Sequence, residues 1–256
     1  MKRMIPRTVQ AFVLILLIAF TVSGISASAV SELSPTRKAA FDKSIAKADP
    51  VLKNEIMVLF NHVNTAQRKE LDLEDMIKTL YSRNAEALIE LKARIKLIDA
   101  DLIKQHEEKL RKKKDNYEPL FALYRTINKK DKGAQSMKIA VELARQDIRS
   151  GENLVKTAKS GAAAKKKQIG DSLKEIDKIR VRISLQKSKV STAKKRFASE
   201  WTSFGTAIKK DEPKRMKTSL STLVRHCEQI IEYKKTIHDY EKQISSVIAK
   251  ASAQVQ

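Results

Sequence analysis

Residues 176–204 read IDKIRVRISLQKSKVSTAKKRFASEWTSF. Within them Ile176, Ile179, Ile183, Gln186, Val190, Ala193 and Phe197 step by three and four, and Phe204 follows one heptad after Phe197. This is the a/d seam of a helix that packs against another helix. The e positions are then Arg180, Lys187 and Lys194, and the g positions Arg182, Lys189 and Arg196, so both edges of the seam are basic. No acidic residue occurs from Lys178 to Ser199. A parallel self-pairing would oppose like charges, so the seam calls for an acidic neighbour. Glu70, Asp72, Glu74 and Asp75 supply one if the chain reverses near residue 131, because an antiparallel hairpin turning there sets that group opposite the middle of the basic seam. The polar run from Asn128 to Gly133 is the predicted turn. The same fold-back places Phe60 beside Phe197, Trp201 and Phe204 in an aromatic cluster.

Working outward, Leu73, Ile77, Leu80, Asn84, Leu88, Leu91, Ile95, Ile98 and Leu102 keep the same rhythm, with a stutter between Asn84 and Leu88. It continues at Met137, Val141, Ala144, Ile148, Gly151, Val155 and Ala158. It returns at Met216, Leu220, Leu223, Cys227, Ile230, Lys234 and Ile237. Ser34-Pro35 and Asp49-Pro50 read as helix starts, an N-cap residue followed by Pro at the first helical position. Asp211 with Pro213 is a weaker form of that signal. Pro119 is predicted to kink or restart its helix, and Gly151, Gly161 and Gly170 to interrupt theirs more weakly. The expected fold is all-α: an elongated antiparallel helical hairpin or coiled coil, thickened to a three-helix bundle at one end. Its parts are a leader helix or linker (30–49), a first arm (50–128), a returning arm (134–210), a third helix (212–250) and a frayed tail (251–256).

The composition excludes much else. The 256 residues include 6 Gly, 5 Pro and 13 aromatics (7 Phe, 5 Tyr, 1 Trp), too few turn formers for sandwiches, barrels or nucleotide-binding α/β folds. With 52 Lys and Arg against 30 Asp and Glu the net charge is +22, yet 42% hydrophobic residues suffice for a core.

At the N-terminus, Lys2, Arg3 and Arg7 precede an apolar stretch from Ala11 to Val22, then Gly24 and the small residues Ala27, Ser28 and Ala29. This pattern predicts a signal peptide (1–29) cleaved after Ala29 and a secreted or extracytoplasmic location; an uncleaved N-terminal anchor is the alternative. Removing the three basic residues takes the charge from +22 to +19. Cys227, the single cysteine, forms no intramolecular disulfide and leaves an intermolecular one open.

Signatures of catalysis or cofactor binding are missing: no Gly-rich phosphate loop, no His-Glu-x-x-His, no Gly-x-Ser-x-Gly and no paired-cysteine zinc spacing. The histidines (His62, His106, His226, His238) are scattered, and His226, Cys227 and Glu228 are adjacent residues that a helix points in different directions. Glu107 with Glu108, and Asp99 with Asp101, read as solvated helix faces. No enzyme, cofactor or metal site is therefore expected. The basic runs stand out instead: Lys109, Arg111, Lys112, Lys113 and Lys114; Lys165, Lys166 and Lys167; Lys195; and Lys209, Lys210, Lys214 and Arg215. They point to anionic cell-wall or membrane polymers, or to exported proteins, with nucleic acid bound only non-specifically because aromatics are sparse among them. The expectation is a non-enzymatic, exported coiled-coil protein of the cell envelope, and the alternative a holdase-like envelope chaperone with basic helical arms. Homo-oligomerisation stays open.

Overall fold

The computed structural model describes residues 32–127 and 132–255. The expected signal peptide or anchor and the turn residues Asn128–Asp131 lie outside them. The described residues form five α-helices and no strand: α1 (Pro35–Ala46), α2 (Pro50–Leu97), α3 (Ala100–Thr126), α4 (Lys132–Lys209) and α5 (Pro213–Ala253). The fold is an all-α helical bundle.

Two helix starts follow the sequence signals. Ser34 Oγ accepts from the Arg37 N–H at 3.4 Å, and Asp49 Oδ1 accepts from the Leu52 N–H at 2.9 Å. Each satisfies one of the donors a first turn leaves free. The stretch expected as leader helix or linker holds α1, which buries Phe41, Ser44 and Ile45.

Elsewhere local chemistry overrides the punctuation. The first arm is two helices, and they part at Ile98 and Asp99, where Asp99 takes a left-handed φ of 54° that short polar side chains tolerate. The Ile103 N–H then bonds to the Asp99 carbonyl at 2.9 Å and α3 begins. Pro119 lies inside α3, where the exposed turn at Asp115 and Asn116 lets water reach the carbonyl a proline cannot bond. The glycines interrupt nothing, since α4 runs for 78 residues through all three. Asp211 closes α4 rather than capping α5. At φ 56° its N–H bonds to the Ile208 carbonyl at 3.2 Å, and the Glu212 N–H reaches the Ala207 carbonyl at 3.0 Å, a Schellman ending. The Met216 N–H bonds to the Glu212 carbonyl at 3.0 Å, so the position ahead of Pro213 is Glu212.

The chain divides into two compact units: Met1–Asp75 with Lys189–Lys234, and Met76–Ser188 with Lys235–Gln256. In the described part of the first, Phe41, Ile56, Val63, Phe204, Met216, Leu220 and Leu223 are sealed from solvent. The rings of Phe41, Phe60 and Phe204 meet at centroid distances of 5.1–6.3 Å, and Trp201 joins Phe204 at 5.5 Å and stacks on Phe197 at 6.0 Å. Phe60 beside Phe204, with Glu70 beside Lys194, sets α2 antiparallel to α4. Glu55 with Lys217 and Glu70 with Lys234 set α5 parallel to α2.

The second unit repeats the antiparallel pairing. Lys187 lies over Tyr81, Lys165 meets Asp99, Lys159 meets Glu107 and Lys114 meets Glu152. The α5 segment closes one part of this unit, burying Ile244 and Ile248, while α2 and α4 bury Leu88, Leu91, Ile176, Ile179 and Ile183. Helix α3 differs: it buries no residue. The part of α4 that faces it buries mainly small side chains, Ala134, Val141, Ala144, Val155 and Ala162.

Candidate functional site

The basic seam meets its acidic neighbour at one point. Lys194 Nζ lies 2.9 Å from Glu70 Oε1 and 3.8 Å from Glu74 Oε2. Lys234 of α5 completes the cluster, with Nζ 2.9 Å from the same Glu70 oxygen and donating to Glu74 Oε2 at 2.6 Å. Both ammonium groups approach Glu70 Oε1 outside good hydrogen-bond angles, so charge rather than directed bonding holds that oxygen. Two cations and two anions from three helices thus balance inside the first unit. Removing either lysine would leave a carboxylate short of a partner in a low-dielectric setting. Cys227 feels the same environment: burial, then the Glu70 and Glu228 charges, push its thiol up to about 12.

The other seam residues go elsewhere, because e and g positions face different neighbours along a three-helix contact. Lys187 covers Tyr81 at 5.9 Å and Lys189 covers Tyr233 at 5.6 Å, both cation–π contacts. Arg180 lies 3.9 Å from Asp177 on its own helix. Arg182 and Arg196 are exposed on α4, and Asp72 and Asp75 are exposed on α2. Lys234 was hidden in the sequence as one polar member of an apolar rhythm; a lysine at a core position was itself the signal that a buried carboxylate faces it. Asn84 carried the same signal. Its Nδ2 donates to the Glu241 carbonyl and to Glu241 Oε2, both at 2.9 Å, and its Oδ1 accepts from Ser245 Oγ at 2.6 Å.

The surface lysines divide into held and unheld. Lys112 pairs with Glu108, Lys113 with Asp147, Lys114 with Glu152, Lys165 with Asp99 and Arg215 with Glu212. Lys167 feels the Asp171 carboxylate. Among the described residues no ion-pair partner meets Lys109, Arg111 or Lys166 in the second unit, or Lys195, Lys209, Lys210 or Lys214 in the first, and all seven are exposed.

Several of the carboxylates and histidines singled out in the sequence have partners in the structure. Glu107 and Asp99 hold lysines, and Glu108 holds Lys112. His62 lies 3.7 Å from Glu228, His226 Nδ1 3.5 Å from Gln229 Oε1, and His238 is buried beside Asp239 at 3.7 Å. No group of three His, Cys, Asp or Glu among the described residues is placed to hold a metal ion. No helix of the described residues is long and apolar enough to cross a membrane. Comparison of the chain with protein-family models, curated proteins and solved structures finds no match.

Proposed function

We propose that this chain is an exported, non-enzymatic coiled-coil protein of the cell envelope that holds anionic polymers through surface cations its own fold leaves unneutralised. The observation that carries this reading is that seven of the cations in the basic runs are exposed and have no ion-pair partner among the described residues: Lys109, Arg111, Lys166, Lys195, Lys209, Lys210 and Lys214. Lysines spread over two units give multivalent, weakly selective attraction to a polyanion, strong at low salt and screened within about 8 Å at physiological ionic strength. Export turns that attraction toward wall or membrane polymers in place of nucleic acid. The test is sedimentation of the mature chain with isolated envelope across a salt series. Binding at low salt that falls steeply with salt is expected, as is loss of most of it in a Lys109→Glu, Lys195→Glu, Lys209→Glu, Lys214→Glu variant. Failure to sediment at low salt would overturn the proposal.

A holdase-like reading draws on a different observation. Ile139, Leu143 and Leu154 on α4 and Leu123 on α3 are each more than half exposed, an apolar display a chaperone would use on an unfolded client. Suppression of the thermal aggregation of citrate synthase by the mature chain would support it; unchanged aggregation would remove it.

A further inference from the structure

The second unit carries a groove whose charged rim owes little to the lysine runs. Its floor is Phe121 and Tyr124 of α3 with Val141 and Ile148 of α4, and its rim is Arg125, Arg145, Arg149 and Glu152; the space is about 460 Å³. A second depression of about 530 Å³ shares Glu152 and continues along α4, with Leu110 and Val155 as floor and Lys156 and Lys159 at the rim. The α4 positions involved, Val141, Arg145, Ile148, Arg149, Glu152, Val155, Lys156, Lys159 and Ser160, recur at intervals of one, three and four. That is one continuous stripe on one helix face, about 28 Å long at 1.5 Å per residue.

The charge along the stripe is one-sided. Glu152, its one carboxylate, is already held by Lys114 at 2.8 Å. Arg125 is bonded to Glu118 at 2.8 Å, Arg145 lies 3.6 Å from Glu142, and Lys159 lies 2.7 Å from Glu107. Arg149 and Lys156 have no ion-pair partner among the described residues. Length, apolar floor and cationic rim together describe the complement of an amphipathic helix with acidic flanks. The same unit shows the geometry of such a third helix, since α5 lies against α2 and buries Ile244 and Ile248.

We infer that the α3–α4 groove is a docking site for an acidic amphipathic helix of a partner protein, its apolar face on the half-buried Leu110, Phe121, Tyr124 and Ile148 and its carboxylates on Arg149 and Lys156. Arginine at the rim gives forked, directional pairing with carboxylates that a lysine patch does not. Helix-in-groove docking of this kind reads anchors at three- and four-residue spacing. Arg149 and Lys156 are not among the polymer-holding cations, and the site does not rest on that function.

The probe is a fluorescein-labelled synthetic helix of about 21 residues, roughly 30 Å long, with Leu at a and d, Glu at e and g, and Ala or Gln elsewhere. Its anisotropy is read against the mature chain at physiological salt. Saturable binding is expected, weakened about tenfold or more by the double variant Arg149→Glu, Lys156→Glu. The control Lys195→Glu, Lys214→Glu should leave it within about twofold. Circular dichroism reports whether each variant is folded, and Ile148→Gln, which removes floor but no charge, should weaken binding independently. Equal loss in both double variants, or equal binding of polyglutamate, would reduce the effect to diffuse charge and overturn the site. Loss of phosphatidylglycerol-vesicle binding in Arg149→Glu, Lys156→Glu with the peptide unaffected would overturn it in favour of a lipid surface. Transfer of the chain to a dimer mass that blocks the peptide would assign the groove to a second copy and overturn it as well.

Discussion

Helix α4 is packed in two contrasting ways. In the first unit it presents Phe204, Ala207 and Ile208 to a core that includes Phe41, Ile56, Met216 and Leu220. Opposite α3 it presents Ala134, Ala144, Gly151, Val155 and Ala162, and α3 answers with side chains that are at most half-buried. Small residues let two backbones approach but remove little apolar area from water, and buried area sets hydrophobic stabilisation. The difference separates a stretch that fixes the fold from one that the fold leaves open for contact.

The comparison breaks most directly at Phe204. Phe204→Ala should cost about 3–5 kcal/mol in urea unfolding, from lost transfer energy plus a cavity among Phe41, Phe60 and Trp201, whereas Val155→Ala should cost well under half of that. Equal costs would erase the distinction. Next, Lys234→Met should cost about 3 kcal/mol by leaving the Glu70 and Glu74 carboxylates to Lys194 alone, and adding Glu70→Leu should recover most of it. Cys227 is the reporter for that unit. Its thiol is held neutral by burial and by the Glu70 and Glu228 charges, so alkylation at pH 8 should proceed only through opening. Because the folded thiol sits near 12 against an ordinary 9.0, stability should decline as pH rises above about 9.

Smaller effects sharpen the α3–α4 side. A Cβ on Gly151 would stand 3.1 Å from Leu110 Cδ1, so Gly151→Val should cost about 1–3 kcal/mol in thermal unfolding. Gly161 and Gly170 have no neighbour within 4 Å, and alanine at either should add about 0.5–1 kcal/mol. Smallest is the acid response of Asp147. The hydrogen bond from Lys113 chiefly holds that half-buried carboxyl below 3.8, against the opposing effect of burial, with smaller help from the Lys113 charge and the Tyr117 hydroxyl. Its contribution is present above pH 3.8 and lost as pH falls through the lowered value. An NMR titration should show the carboxyl return toward 3.8 in Lys113→Met.

Much of this was legible in the residues. The 3–4 rhythm gave the helices, the opposition of basic seam and acidic group gave the pairing of Glu70 with Lys194, and the same fold-back gave Phe60 with Phe204. What escaped has physical causes. A short helix is one reading of residues 30–49, but Phe41's place among the rings was not legible, because nothing in a periodicity says where a short helix docks. Asp99 broke the first arm where Pro119 did not, because a left-handed residue held by Lys165 redirects a backbone more than a proline whose orphaned carbonyl faces water. The groove escaped because Arg125, Arg145 and Arg149 come from two helices and form no run in the sequence.

Neither unit is a continuous piece of chain. The first joins residues before Asp75 to Lys189–Lys234 across the whole of Met76–Ser188. Its core therefore carries a high contact order, and loop closure precedes any packing gain. During synthesis Phe41 and Glu70 emerge long before Phe204, Lys194 and Lys234, so for most of translation the finished half of the core waits exposed. Folding of this chain is consequently a late event, completed when α5 arrives, and a chain halted ahead of Met216 would lack the α5 side of its hydrophobic core and would leave the Glu70 and Glu74 carboxylates to Lys194 alone.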